Sequence, residues 1–351
     1  MYASRLQVFY LLFHFRYHKP ETSKEESKTD GKFTFTGEGS QATAEMVDQS
    51  CVALSPELTI EDIRNSEESI QFYTGLQNYE SFKALYESLV DFGIDSVKET
   101  RGPKAKLRLV DEFLMVLMRL RLGLLVKDLE YRFKIAASSV SRIFNKWITF
   151  MAKVMKPLVF LPPLVVLKTN VPACFQTFSD TRIILDCTEI FVQTPSSLEN
   201  QSQTYLNYKS HNTFKALVGI STTGAVVFIS KLWGGSASDV EITRRSGLID
   251  MLDSGDAVMV DKGFIHLKSD LSKKGVKLYC PPFKTKDQFT KEEVECTRRI
   301  ASARIHVERK MEQIKNFRIL QGTLPLALSP VADAIFFICS AMTNLLPPLV
   351  K

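Results

Sequence analysis

The sequence predicts an all-α region followed by a mixed α/β domain, on three observations. Between Lys106 and Met151 the large apolar residues recur at three- and four-residue steps. Beyond Pro162, Pro163 and Pro172 the period changes to the short β-branched runs of strands. Helical segments then follow and alternate with strands to about residue 345. The expected organisation is a disordered or atypical N-terminal segment over 1–54, a helical lead-in over 55–105, a three-helix region over 106–155 and an α/β domain over 175–348.

Taking the elements in order, residues 19–50 are rich in Lys, Glu, Ser, Thr and Gly and poor in large apolar side chains, the composition of a chain that cannot form a core. The apolar run Leu6–Phe15 is short and broken by His14. No small-residue cleavage site precedes Arg16 and Lys19, so a secretory signal is not expected. Order is expected from about Ser55, and Leu76, Phe82, Leu85, Leu89 and Phe92 then fall at helical spacing.

Leu109, Phe113, Val116, Leu117 and Leu120 predict an amphipathic helix that ends at Gly123. Val126–Phe133 makes a short second helix, and Lys134-Ile-Ala a turn. Ser138 or Ser139 is expected to cap a third helix with Val140, Ile143, Phe144, Trp147 and Ile148 as its apolar stripe. The other face carries Ser138, Ser141, Arg142, Asn145 and Lys146. A short helix, a tight turn and a helix with a polar, basic face form the pattern of a helix-turn-helix, whose last helix enters the major groove. A bundle that merely packs on its neighbour is the alternative.

Charge favours the first reading. The chain of 351 residues is 45% hydrophobic and 24% charged with a net charge of +6, which decides little. Residues 21–100 hold 6 Lys and Arg against 17 Asp and Glu, a net of −11. Residues 101–153 hold 12 against 4 and residues 262–318 hold 15 against 7, each a net of +8. Two basic segments are what a polyanion needs, although solvated charged faces would read the same way. The six cysteines show neither a C-x-x-C pair nor a Cys/His spacing suited to zinc, which is the pattern of buried thiols in a reducing compartment.

In the second half, Arg182–Leu185, Phe214–Ile220, Ala225–Ser230 and Ala257–Val260 read as strands, with Thr222-Thr-Gly224 closing a hairpin. Asp239–Leu252, Ile265–Lys273 and Thr297–Phe317 read as helices. The apolar run Ala334–Cys339 is too short to span a bilayer, so no membrane partner is expected.

Two of these strands run straight into an acid, Asp186 and Asp261. Open α/β sheets place their sites at strand C-terminal ends, and a carboxylate losing hydration there is stabilised by a divalent cation. Either acid alone would read as a turn residue. Glu308 is a third candidate, since it flanks the stripe Ile300, Val307, Met311 and Ile314 of the last long helix. A surface salt bridge is the competing account of it. Three carboxylates suit Mg²⁺, which prefers oxygen ligands, and two such ions about 4 Å apart can act on a phosphodiester.

Beyond these readings, a set of motifs in order resembles the DDE superfamily endonucleases of the Harbinger type. They are Ile184-Leu-Asp-Cys-Thr-Glu-Ile-Phe191, Tyr208-Lys-Ser-His-Asn-Thr-Phe-Lys215, Gly234-Gly-Ser-Ala-Ser-Asp239, Val260-Asp-Lys-Gly-Phe264 and Arg304-Ile-His-Val-Glu-Arg309 with Ile314-Lys-Asn-Phe-Arg318. The helix-turn-helix and Phe72-Tyr-Thr-Gly-Leu76 look like the animal branch, which often carries a THAP zinc finger. The resemblance covers roughly residues 70–348.

What the resemblance implies is an RNase H-like mixed sheet flanked by helices. Asp186, Asp261 and Glu308 match the metal-binding catalytic acids, and Asp239 matches a further acid, counted with them as a candidate metal ligand, that either positions a neighbour or caps its helix. The implied cofactors are Mg²⁺ or Mn²⁺, as two divalent ions. The implied partner is double-stranded DNA, including transposon terminal repeats, with a homo-oligomer as a further expectation, and the implied location is the nucleus. Arg304, Arg309 and Lys310 are expected to steady the DNA strand beside the site. One departure stands out. The zinc module of the branch needs Cys/Cys/Cys/His, and residues 1–54 contain only Cys51, so the finger is expected to be absent. A DNA-cutting enzyme is the leading expectation. A domesticated DNA-binding or adaptor protein that keeps the fold without cutting is the alternative, and another phosphodiesterase on the same fold is a third.

Overall fold

The computed structural model describes residues 57–96, 107–206, 210–282 and 290–350, and the expectations for residues 1–54 lie outside these. Six helices come first: α1 (Ile60–Ile63), α2 (Glu67–Thr74), α3 (Tyr79–Asp91), α4 (Leu109–Leu122), α5 (Val126–Phe133) and α6 (Ala137–Val154). After the short α7 (Leu164–Lys168), the sheet begins with β1 (Thr181–Phe191), followed by α8 (Leu198–Thr204), β2 (Tyr205–Leu206), β3 (His211–Ile220), β4 (Val226–Ile229) and β5 (Trp233–Gly234). Then come α9 (Asp239–Arg245), β6 (Ala257–Met259), α10 (Lys268–Lys273), β7 (Lys277–Tyr279), α11 (Lys291–Lys315) and α12 (Ala332–Met342).

The predicted first helix is more deeply placed than its periodicity implied. Every residue of α4 from Asp111 to Leu120 is buried, so it is a central helix and not an amphipathic one. Its two buried acids are satisfied internally. Asp111 accepts from the Ile60 amide at 3.2 Å and the Arg108 Nε at 2.6 Å, while Glu112 accepts from Trp147 Nε1 at 2.9 Å and Lys146 Nζ at 2.6 Å. Gly123 ends α4 at φ 68°, where a Cβ would lie 3.2 Å from the backbone of Arg318.

Lys134, at φ 50°, turns the chain between α5 and α6 as predicted. The cap differs, because α6 starts at Ala137 with Ala136 as its N-cap and no side chain closing it. Ser138 therefore lies inside the first turn, on the solvent side with Arg142 and Asn145, and Ser141 is half-buried. The predicted stripe Val140, Ile143, Phe144, Trp147 and Ile148 is fully buried. Lys146 corrects the expectation of a DNA contact. Its ammonium is claimed by Glu112 and its side chain is only 13% exposed.

Among the described residues one sheet forms with strand order β2-β3-β1-β6-β7, and β4 and β5 also pair with β3. β1 pairs antiparallel with β3 and parallel with β6, and β6 pairs parallel with β7. This is the mixed sheet flanked by helices expected of an RNase H-like fold. Side chains alternate across a strand, so residue parity sorts the two faces. Ile183, Leu185, Leu217, Val227 and Val258 join Ile242, Leu248, Phe264, Leu267 and Leu271 in one core, which covers the first face with α9 and α10. The opposite face, with Ile184, Val218 and Met259, meets α11, while α12 packs against β4 and α6.

Three predicted helices have shifted bounds, and that expected from Ile265 is α-helical only from Lys268, after a 3-10 turn over Lys262–Leu267. α9 stops at Arg245, because Gly247 at φ 79° interrupts the expected run to Leu252. α11 begins earlier than Thr297, at Lys291, behind a capping box of Thr290 and Glu293. The stretch Leu326–Leu345 is long and apolar enough to cross a membrane by composition, but Ile335, Phe336, Ile338 and Cys339 are buried within the protein, as in a core helix.

The Lys146 pairing makes a prediction. Lys146→Ala leaves Glu112 buried with only the Trp147 indole, and stability in urea should fall by about 3 kcal/mol. The salt dependence of DNA binding should stay unchanged, and a weaker slope with undiminished stability would return Lys146 to the DNA surface.

Candidate active site

β1 does not end at Leu185, as the apolar run implied; it continues to Phe191, and Asp186 lies within it opposite Val218 of β3. Its parallel neighbour does end there. β1 and β6 pair as Ile183 with Val258 and Ile184 with Met259, an offset of 75 residues (259 less 184). The same offset separates Asp186 from Asp261 (261 less 186). Two residues past the last pair, and just beyond the end of β6, the same offset brings Asp261 beside Asp186 at this end of the sheet. Register alone brings them together.

Backbone amides aim both side chains. Asp186 Oδ1 accepts from the Cys187 amide at 2.9 Å, and Asp261 Oδ1 accepts from the Lys262 amide at 2.6 Å as the cap of the next turn. Arg304 of α11 reaches this end of the sheet, with Nη1 3.3 Å from Asp261 Oδ1. Its side chain is 11% exposed against 54% for Asp261, and its Nε is buried without a partner. Burial pushes the Asp186 carboxyl up to about 6; Arg304 and the Cys187 amide hold it down, and Asp239 and Asp261 add to the rise. Three of the four predicted acids therefore feel one another.

Asp239 is the first residue of α9, whose cap is Ser238, so it does not serve as the helix cap. Its Oδ1 lies 3.2 Å from Lys215 Nζ, which also donates to the Ala237 carbonyl at 3.1 Å and stands 4.0 Å from Glu189. Asp239 is thus an ion-pair partner of Lys215. The glycines of its motif are required by close packing, since a Cβ on Gly235 would collide with Thr213 Oγ1 and meet the Thr204 carbonyl at 2.8 Å. Beside these acids, burial raises the thiols of Cys187 and Cys280, with Asp239 and Asp261 respectively adding to the rise.

Glu308 stands apart. It is exposed on α11, one turn beyond Arg304, and i,i+4 residues share a helix face. The predicted stripe beside it, Ile300, Val307, Met311 and Ile314, is buried as expected. Lys310 corrects its assignment to DNA. It is 2% exposed, donates to the Thr343 carbonyl at 3.3 Å, and burial lowers its pKa to about 8. Arg304 is drawn toward Asp261 in this structure, whereas Arg309 is exposed. Neither nearby histidine is placed as a base. His306 is buried 3.5 Å from Cys174 Sγ, and His211 is exposed with Nδ1 against the Ser210 carbonyl.

Among the described residues no three Asp, Glu, His or Cys side chains close into a ready-made metal cage. The donor chemistry nonetheless fits a hard divalent cation. Mg²⁺ is usually held by one or two carboxylates with waters and substrate phosphates completing its shell. Asp186 and Asp261 are two such carboxylates, and the adjacent thiols are held protonated. Lys215, Glu189 and Cys187 adjoin the acids, and sequence reading did not single them out. A lysine and a glutamate in the interior of adjoining strands was the available signal, and they prove to be direct cross-strand partners.

Residues 185–344 match the family described as DDE superfamily endonuclease, and residues 105–157 match that described as helix-turn-helix of DDE superfamily endonuclease. No curated protein and no solved structure matches the chain.

The Asp186 environment predicts a pH effect in metal-free buffer. An acid whose folded pKa is raised gives stability that is full below its unfolded value, 3.8, and is lost as pH rises through about 6. Asp186→Asn should therefore raise stability at pH 8 by roughly 1–2 kcal/mol, after discounting for partial exposure, with the gain vanishing near pH 4. Equal stability of the two proteins across that range would show that Asp186 is not strained by its surroundings.

Proposed function

We propose that this chain, a member of the DDE superfamily of transposase-derived endonucleases, cuts double-stranded DNA by divalent-metal-dependent hydrolysis of a phosphodiester, leaving a free 3′ hydroxyl. The observation that carries the reading is the common 75-residue offset, by which the register of β1 and β6 brings Asp261 beside Asp186. The family match over residues 185–344 supports nuclease chemistry, and the helix-turn-helix match supports DNA as the partner.

In this reading Asp186 and Asp261 hold the cations, as two Mg²⁺ or Mn²⁺ ions, and Glu308 joins them from α11. When bound, such ions polarise the phosphoryl oxygens and lower the pKa of a water. The chain's own residues prepare the place. The Lys262 and Cys187 amides fix the two aspartates, and Asp239 with Lys215 braces α9 against the sheet. No histidine base is required, which suits the burial of His306.

For the duplex, the solvent side of α6 with Ser138, Arg142 and Asn145 is the reading surface, with Ser141 at its edge. Arg309, exposed on α11, is a phosphate contact in this reading. Transposon terminal repeats as the target, a nuclear location, a homo-oligomeric working form and descent from the Harbinger branch complete the proposal.

Purified protein should nick duplex DNA with Mg²⁺ or Mn²⁺ and lose the activity with a chelator. Asp261→Ala should lower the rate by orders of magnitude with DNA affinity largely kept, because the lost interaction acts on charge that develops in the transition state. Parental protein that never nicks with either metal, terminal-repeat ends included, would move the non-cleaving adaptor ahead. Separately, Arg142→Ala should reduce the slope of log affinity against log salt by about one. An unchanged slope would mean that α6 does not lie on the phosphates.

A further inference from the structure

Arg304 is oddly placed for a residue of a basic helix. Most of its side chain is inside, drawn toward Asp261, which is itself half in solvent. Lys215, the other cation of this centre, is held by the Ala237 carbonyl, Asp239 and Glu189 together. The grip on Arg304 is looser. One nitrogen meets Asp261 at 3.3 Å, longer than the 2.7–2.9 Å typical of strong charge-assisted bonds, and Nε has no partner among the described residues. A guanidinium satisfied at both edges would be costly to remove, whereas one held at a single long contact is exchangeable.

The charge it supplies is the charge that the acids need. Asp186 and Asp261 stand side by side, and Arg304 is the cation that acts on both. On α11 the next residue on the same face is Glu308, one turn away.

We propose that Arg304 is a built-in counter-ion of the Asp186–Asp261 pair, displaced by the divalent cation and then free to bind a DNA phosphate. This rests on the metal reading above. Arg304 and the metal compete for the same carboxylates, so the protein's metal affinity is set below what its acids alone would give. The released guanidinium matches a phosphate oxygen pair in shape and charge.

The test is Mn²⁺ binding to the full chain without DNA, by titration calorimetry, for the parent, Arg304→Gln and Arg304→Lys. Arg304→Gln should bind Mn²⁺ roughly five-fold more tightly, the scale of one partly exposed ion pair, and Arg304→Lys should stay near the parent. Circular dichroism checks the fold, and Arg304→Met, which keeps the aliphatic stem, replaces the Gln variant if that one unfolds. Parental binding with equal or weaker binding by the uncharged variant overturns the counter-ion role and leaves the metal site standing. Binding by the uncharged variant alone supports it. No Mn²⁺ uptake by any variant overturns both the counter-ion role and the metal reading.

Discussion

The parallel pairing of β1 with β6 is the constraint on which the remainder depends. Two aspartates distant in the chain become neighbours because the offset of the ladder that aligns Ile184 with Met259 carries on, by two more residues, to Asp186 and Asp261. Ile183, Leu185 and Val258 lock that ladder from one side by burial in the α9–α10 core, and Ile184 and Met259 do so from the other. A slip of one residue would turn each apolar side chain to the wrong face. The position of the acids is therefore specified by the hydrophobic core and not by the acids themselves, which oppose being close.

Acids and a cation stand together on each face of the sheet. Even-numbered Asp186 looks toward α11 and Arg304, while odd-numbered Cys187 and Glu189 look toward Asp239 and Lys215. Burial alone would neutralise such carboxylates by protonation. Arg304 opposes that effect at Asp186, and the two cations differ in how firmly they are held.

Element type was legible from periodicity, because the stripes of α6 and α11 and the alternation of the strands are local signals. So was the HTH-like succession of α4, α5 and α6, down to the turn at Lys134. The three site aspartates were legible from their motifs. What escaped was whatever depended on a partner far along the chain. Lys146 looked like a DNA ligand because nothing near it in sequence announces Glu112, and Lys310 looked exposed because a helix repeat shows where one buried face lies and not how wide it is. Asp186 seemed to end its strand because the apolar run stops there, although antiparallel pairing with β3 carries β1 on. The early start of α11 was readable, since Thr290 and Glu293 have the spacing of a capping box.

The joint between the helical region and the sheet has a consequence of its own. Gly123 lies against the backbone of Arg318, Arg121 Nη1 donates to the Asn316 carbonyl at 2.8 Å, and α6 packs on α12. Asn344 fastens the edge strand at Val226, through both its amide and its carbonyl, to the Leu158 carbonyl just past α6. Among the described residues the helical region is thus fastened directly to the sheet. Whatever the solvent side of α6 touches is therefore held at a fixed distance from the acids at the end of β6, so that distance is a property of the fold.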